Sequence, residues 1–265
     1  MRRSNLLRSV RLAAQIGILL AAVVEGVRLA RGWSLAGVER YCPFGGLETA
    51  WSFVTRRGFS CAAGELNLAL FLALLALTLV ARKAFCSWVC PVGSVNEWLF
   101  RLLRRPGRRL PAEPPPRVDR ALRWLRLPVL VVILVATWTT GELVFRAYDP
   151  YYIMVSAHGH EVRLWSYAIL AGVLALGAVV PMAWCRYLCP LGVTLWPFSA
   201  LGRIRLRRDE SRCTGCGACT RACPHGIRVA GAVEVRSGEC TLCLECTAAC
   251  RDARALELRL EGRRP

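Results

Sequence analysis

The chain has 265 residues, 55% of them hydrophobic, yet it carries 36 Lys/Arg against 18 Asp/Glu, a formal net charge of +18. A soluble globular domain seldom combines these features, whereas a membrane protein with basic loops does so readily. Nucleic-acid binding is excluded as the source of the charge because no recognition fold accompanies the arginines; contact with anionic membrane lipid accounts for it.

Four stretches approach the ~20 apolar residues needed to cross ~30 Å of hydrocarbon: about 11–30, 64–81, 127–147 and 164–184. The first follows Arg2, Arg3 and Arg8, has no clear small-x-small cleavage site, and is interrupted near its end by Glu25 and Arg28. It reads as a retained helix rather than a signal peptide. A loop of about 31–63 follows, with Cys42-Pro43-Phe44-Gly45-Gly46 and, further on, Cys61. These two cysteines are expected either to form a disulfide or to act as a redox pair.

The second stretch ends in Phe85-Cys86-Ser87-Trp88-Val89-Cys90-Pro91-Val92-Gly93. Segment 104–120, rich in arginine and proline, is expected to be a linker with no regular helix. The third stretch carries Glu142 and leads to Tyr148-Asp149-Pro150-Tyr151-Tyr152, whose aromatics suit an interfacial belt. His158 and His160 follow, either as solvated loop residues or as ligands and proton acceptors. The fourth stretch ends in Trp184-Cys185-Arg186-Tyr187-Leu188-Cys189-Pro190-Leu191-Gly192, an internal repeat of the second.

On a helix, residues four apart share a face. The Cys86/Cys90 and Cys185/Cys189 pairs are therefore expected to point their thiols together, with proline breaking each helix and glycine permitting the turn. They serve either as ligands to a shared metal or cluster or as a redox-active dithiol; simple packing of soft side chains is the alternative.

Eight of the 14 cysteines lie at the C-terminal end, as Cys213-x2-Cys216-x2-Cys219-x3-Cys223-Pro224 and Cys240-x2-Cys243-x2-Cys246-x3-Cys250. This is the ligand spacing of bacterial ferredoxins, in which the fourth cysteine of each run serves the other cluster. Two [4Fe–4S] clusters are predicted: one on Cys213, Cys216, Cys219 and Cys250, the other on Cys240, Cys243, Cys246 and Cys223. Structural zinc would not require two four-cysteine runs of identical spacing. Short strands are expected at 204–206, 227–229, 233–235 and 256–260. The predicted architecture is a four-helix transmembrane bundle (residues 1–202) with a C-terminal α+β two-cluster ferredoxin domain (203–265).

The arginines orient the bundle. Only Arg28, Arg31, Arg40, Arg56, Arg57, Arg146 and Arg163 fall outside the N-terminal tail, segment 82–126 and the tail from 186 onward. By the positive-inside rule, both termini and the clusters are expected in the cytoplasm of a bacterial inner-membrane protein, with loops 31–63 and 148–163 outside. A reducing cytoplasm also keeps the thiols free to bind iron.

Four hydrophobic stretches, two Cys-x3-Cys-Pro motifs and a C-terminal eight-cysteine module resemble the NapH-type membrane quinol dehydrogenase subunit. They are similar also to the membrane part of the nitrous-oxide reductase activator NosR and to the core of the oxidase-assembly protein CcoG. The chain resembles the minimal NapH-like core, without the flavin domain of NosR-like proteins or the further C-terminal domain of CcoG-like ones. The resemblance implies electron transfer between the quinone pool and a periplasmic or cytoplasmic redox protein. A quinol losing two electrons must also lose two protons, and Glu25 and Glu142, near the expected outer helix ends, are the candidate acceptors. The alternative is an assembly factor that reduces a metal or disulfide during maturation of a respiratory enzyme.

Overall fold

The computed structural model describes residues 2–31, 42–57, 64–104, 113–156, 162–252 and 254–260. The helices run α1 (Arg2–Ala30), α2 (Pro43–Arg56), α3 (Gly64–Ala81), α4 (Ala84–Trp88), α5 (Pro91–Leu103), α6 (Pro116–Trp124), α7 (Arg126–Thr140), α8 (Pro150–Ser156), α9 (Leu164–Val179) and α10 (Pro190–Ala200). The C-terminal module adds β1 (Ile204–Arg208), α11 (Ala218–Arg221), α12 (Glu245–Ala248) and β2 (Leu256–Leu260).

The long helices invert the soluble pattern. Arg11, Gln15, Asn67, Thr78, Thr137 and Ser166 are fully buried, while Leu20, Leu72 and Val132 on the same helices are more than half exposed. Apolar exposure on that scale is stable only in a non-aqueous surround, and the buried polar groups must then find partners inside. They do: Gln15 donates to the Ser87 carbonyl at 2.7 Å and accepts from Trp98 at 3.0 Å.

Leu6–Arg28, Gly64–Ala81 and the Pro116–Thr140 rod formed by α6 and α7 are long and apolar enough to cross a membrane. The fourth expected span is a 16-residue apolar helix, shorter than the ~20 residues a straight crossing needs. It ends at Val179 rather than 184, because Pro181 cannot continue it; after Met182, at φ 53°, the chain makes a single π turn over Trp184–Leu188. The third ends at Thr140 rather than 147, closed by Gly141 at φ 79°, and Val144–Ala147 forms a 3₁₀ turn.

Two further expectations are corrected. Residues 105–112 lie outside the described residues, but 116–120 of the expected linker opens helix α6 (Pro116–Trp124). Pro116 occupies the first helical position, where its missing N–H breaks no intrahelical bond. The apolar stretches 227–229 and 233–235 are not strands. β1 forms its ladder with β2, antiparallel with Leu206 opposite Leu258. Among the described residues it meets the 233–235 stretch only through an isolated Arg207–Glu234 bridge, where Arg208 donates to the Val233 carbonyl and Val235 to the Leu206 carbonyl. Val229 and Val235 instead fill the module's core with Leu206, Leu242 and Leu256.

The module is locked onto the helices around Cys86 and Cys185. Arg82 donates to the carbonyls of Ser199, Val235 and Ser237. Glu239 is held by Lys83 at 2.9 Å and Arg126 at 2.6 Å, all three buried. Arg11 joins Glu97 at 2.7 Å and Glu245 at 3.1 Å. Burial opposes the Glu239 charge, but Lys83 and Arg126 outweigh it and hold the carboxyl down at about 2. Removing one member of such a group strands the others' charges in a poor dielectric, at a cost of about 3–5 kcal/mol.

Candidate functional site

The ferredoxin cysteines gather in two crossed sets. Cys223, from the first run, lines one enclosed cavity with Cys240, Cys243 and Cys246 of the second. Cys250 lies where it feels the charges of Cys219, Cys213 and Cys216. Each loop turns through left-handed residues: Gly215 and Gly217 in the first, both at φ 68°, and Leu242 and Leu244 in the second, at 50° and 63°. The two sets differ in exposure, since Cys216 is exposed whereas all four cysteines of the enclosed cavity are buried.

The repeated membrane motifs bring Cys86, Cys90, Cys185 and Cys189 to a single cavity. They do so otherwise than by sharing a helix face. Cys86 lies in α4, but Cys90 is the N-cap of α5; Cys185 lies in the π turn, and Cys189 is the N-cap of α10. Pro91 and Pro190 therefore begin helices rather than end them, which their fixed φ favours. Gly93 serves close approach rather than a turn, since a Cβ there would sit 1.9 Å from the Cys86 carbonyl oxygen.

The two segments expected as external loops reach the same cavity. Pro43 and Phe44 from the first turn of α2, and Asp149 and Tyr151 around the start of α8, line it. Cys42, a free buried thiol, is the N-cap of α2 and lies 3.6 Å from an Asp149 carboxylate oxygen. The first turns of three helices of more than ten residues, α2, α5 and α10, thus face one enclosed space, and Lys83 joins them there. Helix N-termini carry partial positive charge, so this space favours an anion.

Burial pushes the Cys86 thiol up to about 11, partly offset by Lys83, and Cys189 up to about 12. Such thiols ionise when a metal takes the proton's place. Among the described residues no three His, Cys, Asp or Glu side chains converge tightly enough for a single ion. Zinc would draw four sulfurs to within about 4 Å of one another, whereas a cubane holds its thiolates further apart, one on each of four irons. The fully buried His225, with both ring nitrogens unpartnered, and Thr241, with its hydroxyl unpartnered, also line the cavity. An unmet buried polar group costs about 1–3 kcal/mol. The donor set, the helix N-termini and these orphaned atoms together fit a thiolate-held, sulfide-bearing group.

The carboxylates expected to take protons lie elsewhere. Glu25 pairs with Arg28 at 3.1 Å, and Glu142 is exposed; neither lines the cavity. Asp149 does, and burial pushes its carboxyl up to about 6. Glu48, fully buried nearby, accepts from Thr137 at 2.7 Å with its second oxygen unpartnered, and burial pushes it up to about 7. Sequence reasoning missed both, although Asp149-Pro150 and Cys42-Pro43 echo the Cys-Pro starts of α5 and α10. Cys61, His158 and His160 lie outside the described residues.

A family model described as a 4Fe–4S binding domain matches the chain twice, over residues 64–109 and 162–208, each match spanning one Cys-x3-Cys-Pro motif. A second, described as a 4Fe–4S dicluster domain, matches 205–251. The uncharacterized protein MJ0750 of Methanocaldococcus jannaschii is 31% identical over 72% of this chain and 77% of its own length. The chain belongs to the family of ferredoxin-type 4Fe–4S membrane proteins. Within this family, YccM of Escherichia coli K12 is 31% identical over 85% of the chain, and the ferredoxin-type protein NapH of the same organism is 30% identical over 66%. The chain spans 64% of the length of YccM and 61% of that of NapH. No solved structure matches it.

Proposed function

We propose that the protein is a bacterial inner-membrane electron carrier holding two [4Fe–4S] clusters on its C-terminal cysteines and a third iron–sulfur group on Cys86, Cys90, Cys185 and Cys189. It acts as a quinol dehydrogenase-type subunit, passing electrons between the quinone pool and a partner redox protein. The observation that carries this reading is the single cavity on which four thiols, three helix N-termini and Lys83 converge, directly against the ferredoxin module. Iron–sulfur groups supply one-electron exchange. The chain's own residues do the rest. The Glu239, Lys83 and Arg126 group fixes the module against the bundle, keeping the distance between sites constant. Phe44, Phe85, Phe145 and Trp184 keep water from the cavity. Asp149 and Glu48 stand where a proton released on the α2/α8 side is taken up. The arginine distribution supports cytoplasmic termini and ferredoxin module.

Anaerobic iron and acid-labile sulfide analysis with low-temperature EPR tests the cofactor reading. About twelve irons per chain is the expected result, and about eight would remove the third group. A reduced quinol analogue added to the reconstituted protein should change the EPR signals; signals that never respond would reject the quinol role.

A further inference from the structure

The cavity of the four membrane thiols and the cage of Cys223, Cys240, Cys243 and Cys246 share one wall. Two residues, His225 and Thr241, line both. Each follows a cage cysteine closely, His225 two residues after Cys223 and Thr241 directly after Cys240. Both are pinned through their backbones by the membrane bundle. Arg123 donates to the His225 carbonyl at 2.8 Å, and Ser87, from inside the first Cys-x3-Cys motif, donates to the Thr241 carbonyl at 2.7 Å. Yet their side chains, 3% and 2% exposed, have no hydrogen-bond partner among the described residues. Two rigidly held polar side chains with unmet capacity, on the partition between two cysteine cages, call for acceptors on either side. Thiolate and sulfide sulfurs are such acceptors.

Resting on the reading above, we infer that His225 and Thr241 are positioning residues that hydrogen-bond across the partition to the sulfurs of the two iron–sulfur groups, setting their potentials and linking them as one electron path. A neutral imidazole offers one N–H and a threonine hydroxyl one O–H. In the transfer, one group loses one electron and the other gains it. No bond is made or broken, and the proton stays on the imidazole. Hydrogen bonds to sulfur favour the reduced, more negative state, so losing one lowers the midpoint potential.

The test is an EPR-monitored redox titration of the anaerobically purified full chain, with iron content measured on every sample. His225→Ala should lower the midpoint potential of at least one of the two groups by about 59 mV, a tenfold change in the reduced-to-oxidised ratio of a one-electron couple. Thr241→Val, which keeps the shape and deletes the donor, should act in the same direction. His225→Gln, which restores an N–H, should recover most of the shift; a packing role would not predict that recovery. About twelve irons with unchanged potentials in both His225→Ala and Thr241→Val would overturn this inference and leave the proposed function standing. About eight irons in the parent protein would overturn both.

Discussion

The two ferredoxin loops have the same ligand spacing but opposite surroundings. The first is preceded by Arg212, turns through Gly215 and Gly217, and leaves Cys216 exposed. The second is preceded by Glu239, turns through Leu242 and Leu244 at nearly the same backbone angles, and buries Cys240, Cys243 and Cys246. A non-glycine residue with positive φ is held at a cost. The second loop bears that cost because Leu242 and Leu244 are 6% and 2% exposed, and because Trp88 and Ser87 hold its carbonyls. Spacing alone makes a cage; what surrounds the spacing decides whether the cage faces solvent or the membrane bundle.

Substitutions at equivalent places should separate the two loops. The largest effect is expected for Glu239→Gln, which leaves Lys83 and Arg126 buried and unpaired and should cost about 3–5 kcal/mol. Thermal unfolding in detergent, followed by the visible absorbance of the clusters, would register it, and an unchanged midpoint would remove the ion group as the docking element. Leu244→Ala should cost about 2–4 kcal/mol, since it empties a buried site and relieves no strain; the same melting curve with an intact EPR spectrum is the check. Gly217→Ala, placing a Cβ at φ 68°, should cost roughly 1–2 kcal/mol, and a neutral result would mean the first loop relaxes freely. Arg212→Ala should change stability by no more than about 0.5 kcal/mol, because its pair with Asp209 at 3.5 Å is about half exposed and screened by solvent. A loss comparable to that at Glu239 would erase the distinction between the loops.

The membrane half offers a parallel comparison. Cys86 and Cys185 sit in short turns, and Cys90 and Cys189 cap the helices that follow, so the repeated motifs present thiols from two kinds of backbone. Proline reads in sequence as a helix stop, but at the first helical position it is a start. This ambiguity misdirected the reading of both motifs and of Pro116. It also concealed α2 and α8, which open with Cys42-Pro43 and Asp149-Pro150 inside segments read as external loops.

The ferredoxin ligand spacing, the duplicated Cys-x3-Cys-Pro element and the apolar stretches were legible in the residues themselves. Each is a local signal, in which ligands two or three residues apart must share a loop and twenty apolar residues must leave water. The convergence of Pro43, Cys86, Asp149, Cys189, His225 and Thr241 on adjoining cavities was not legible, because it joins segments far apart in the chain. No local period encodes which helix starts meet or which polar side chains are left without partners. Packing decided that, by burying polar faces inward and closing the ferredoxin module over the thiols. The residues determined which ligands exist; only the tertiary arrangement determined what they surround.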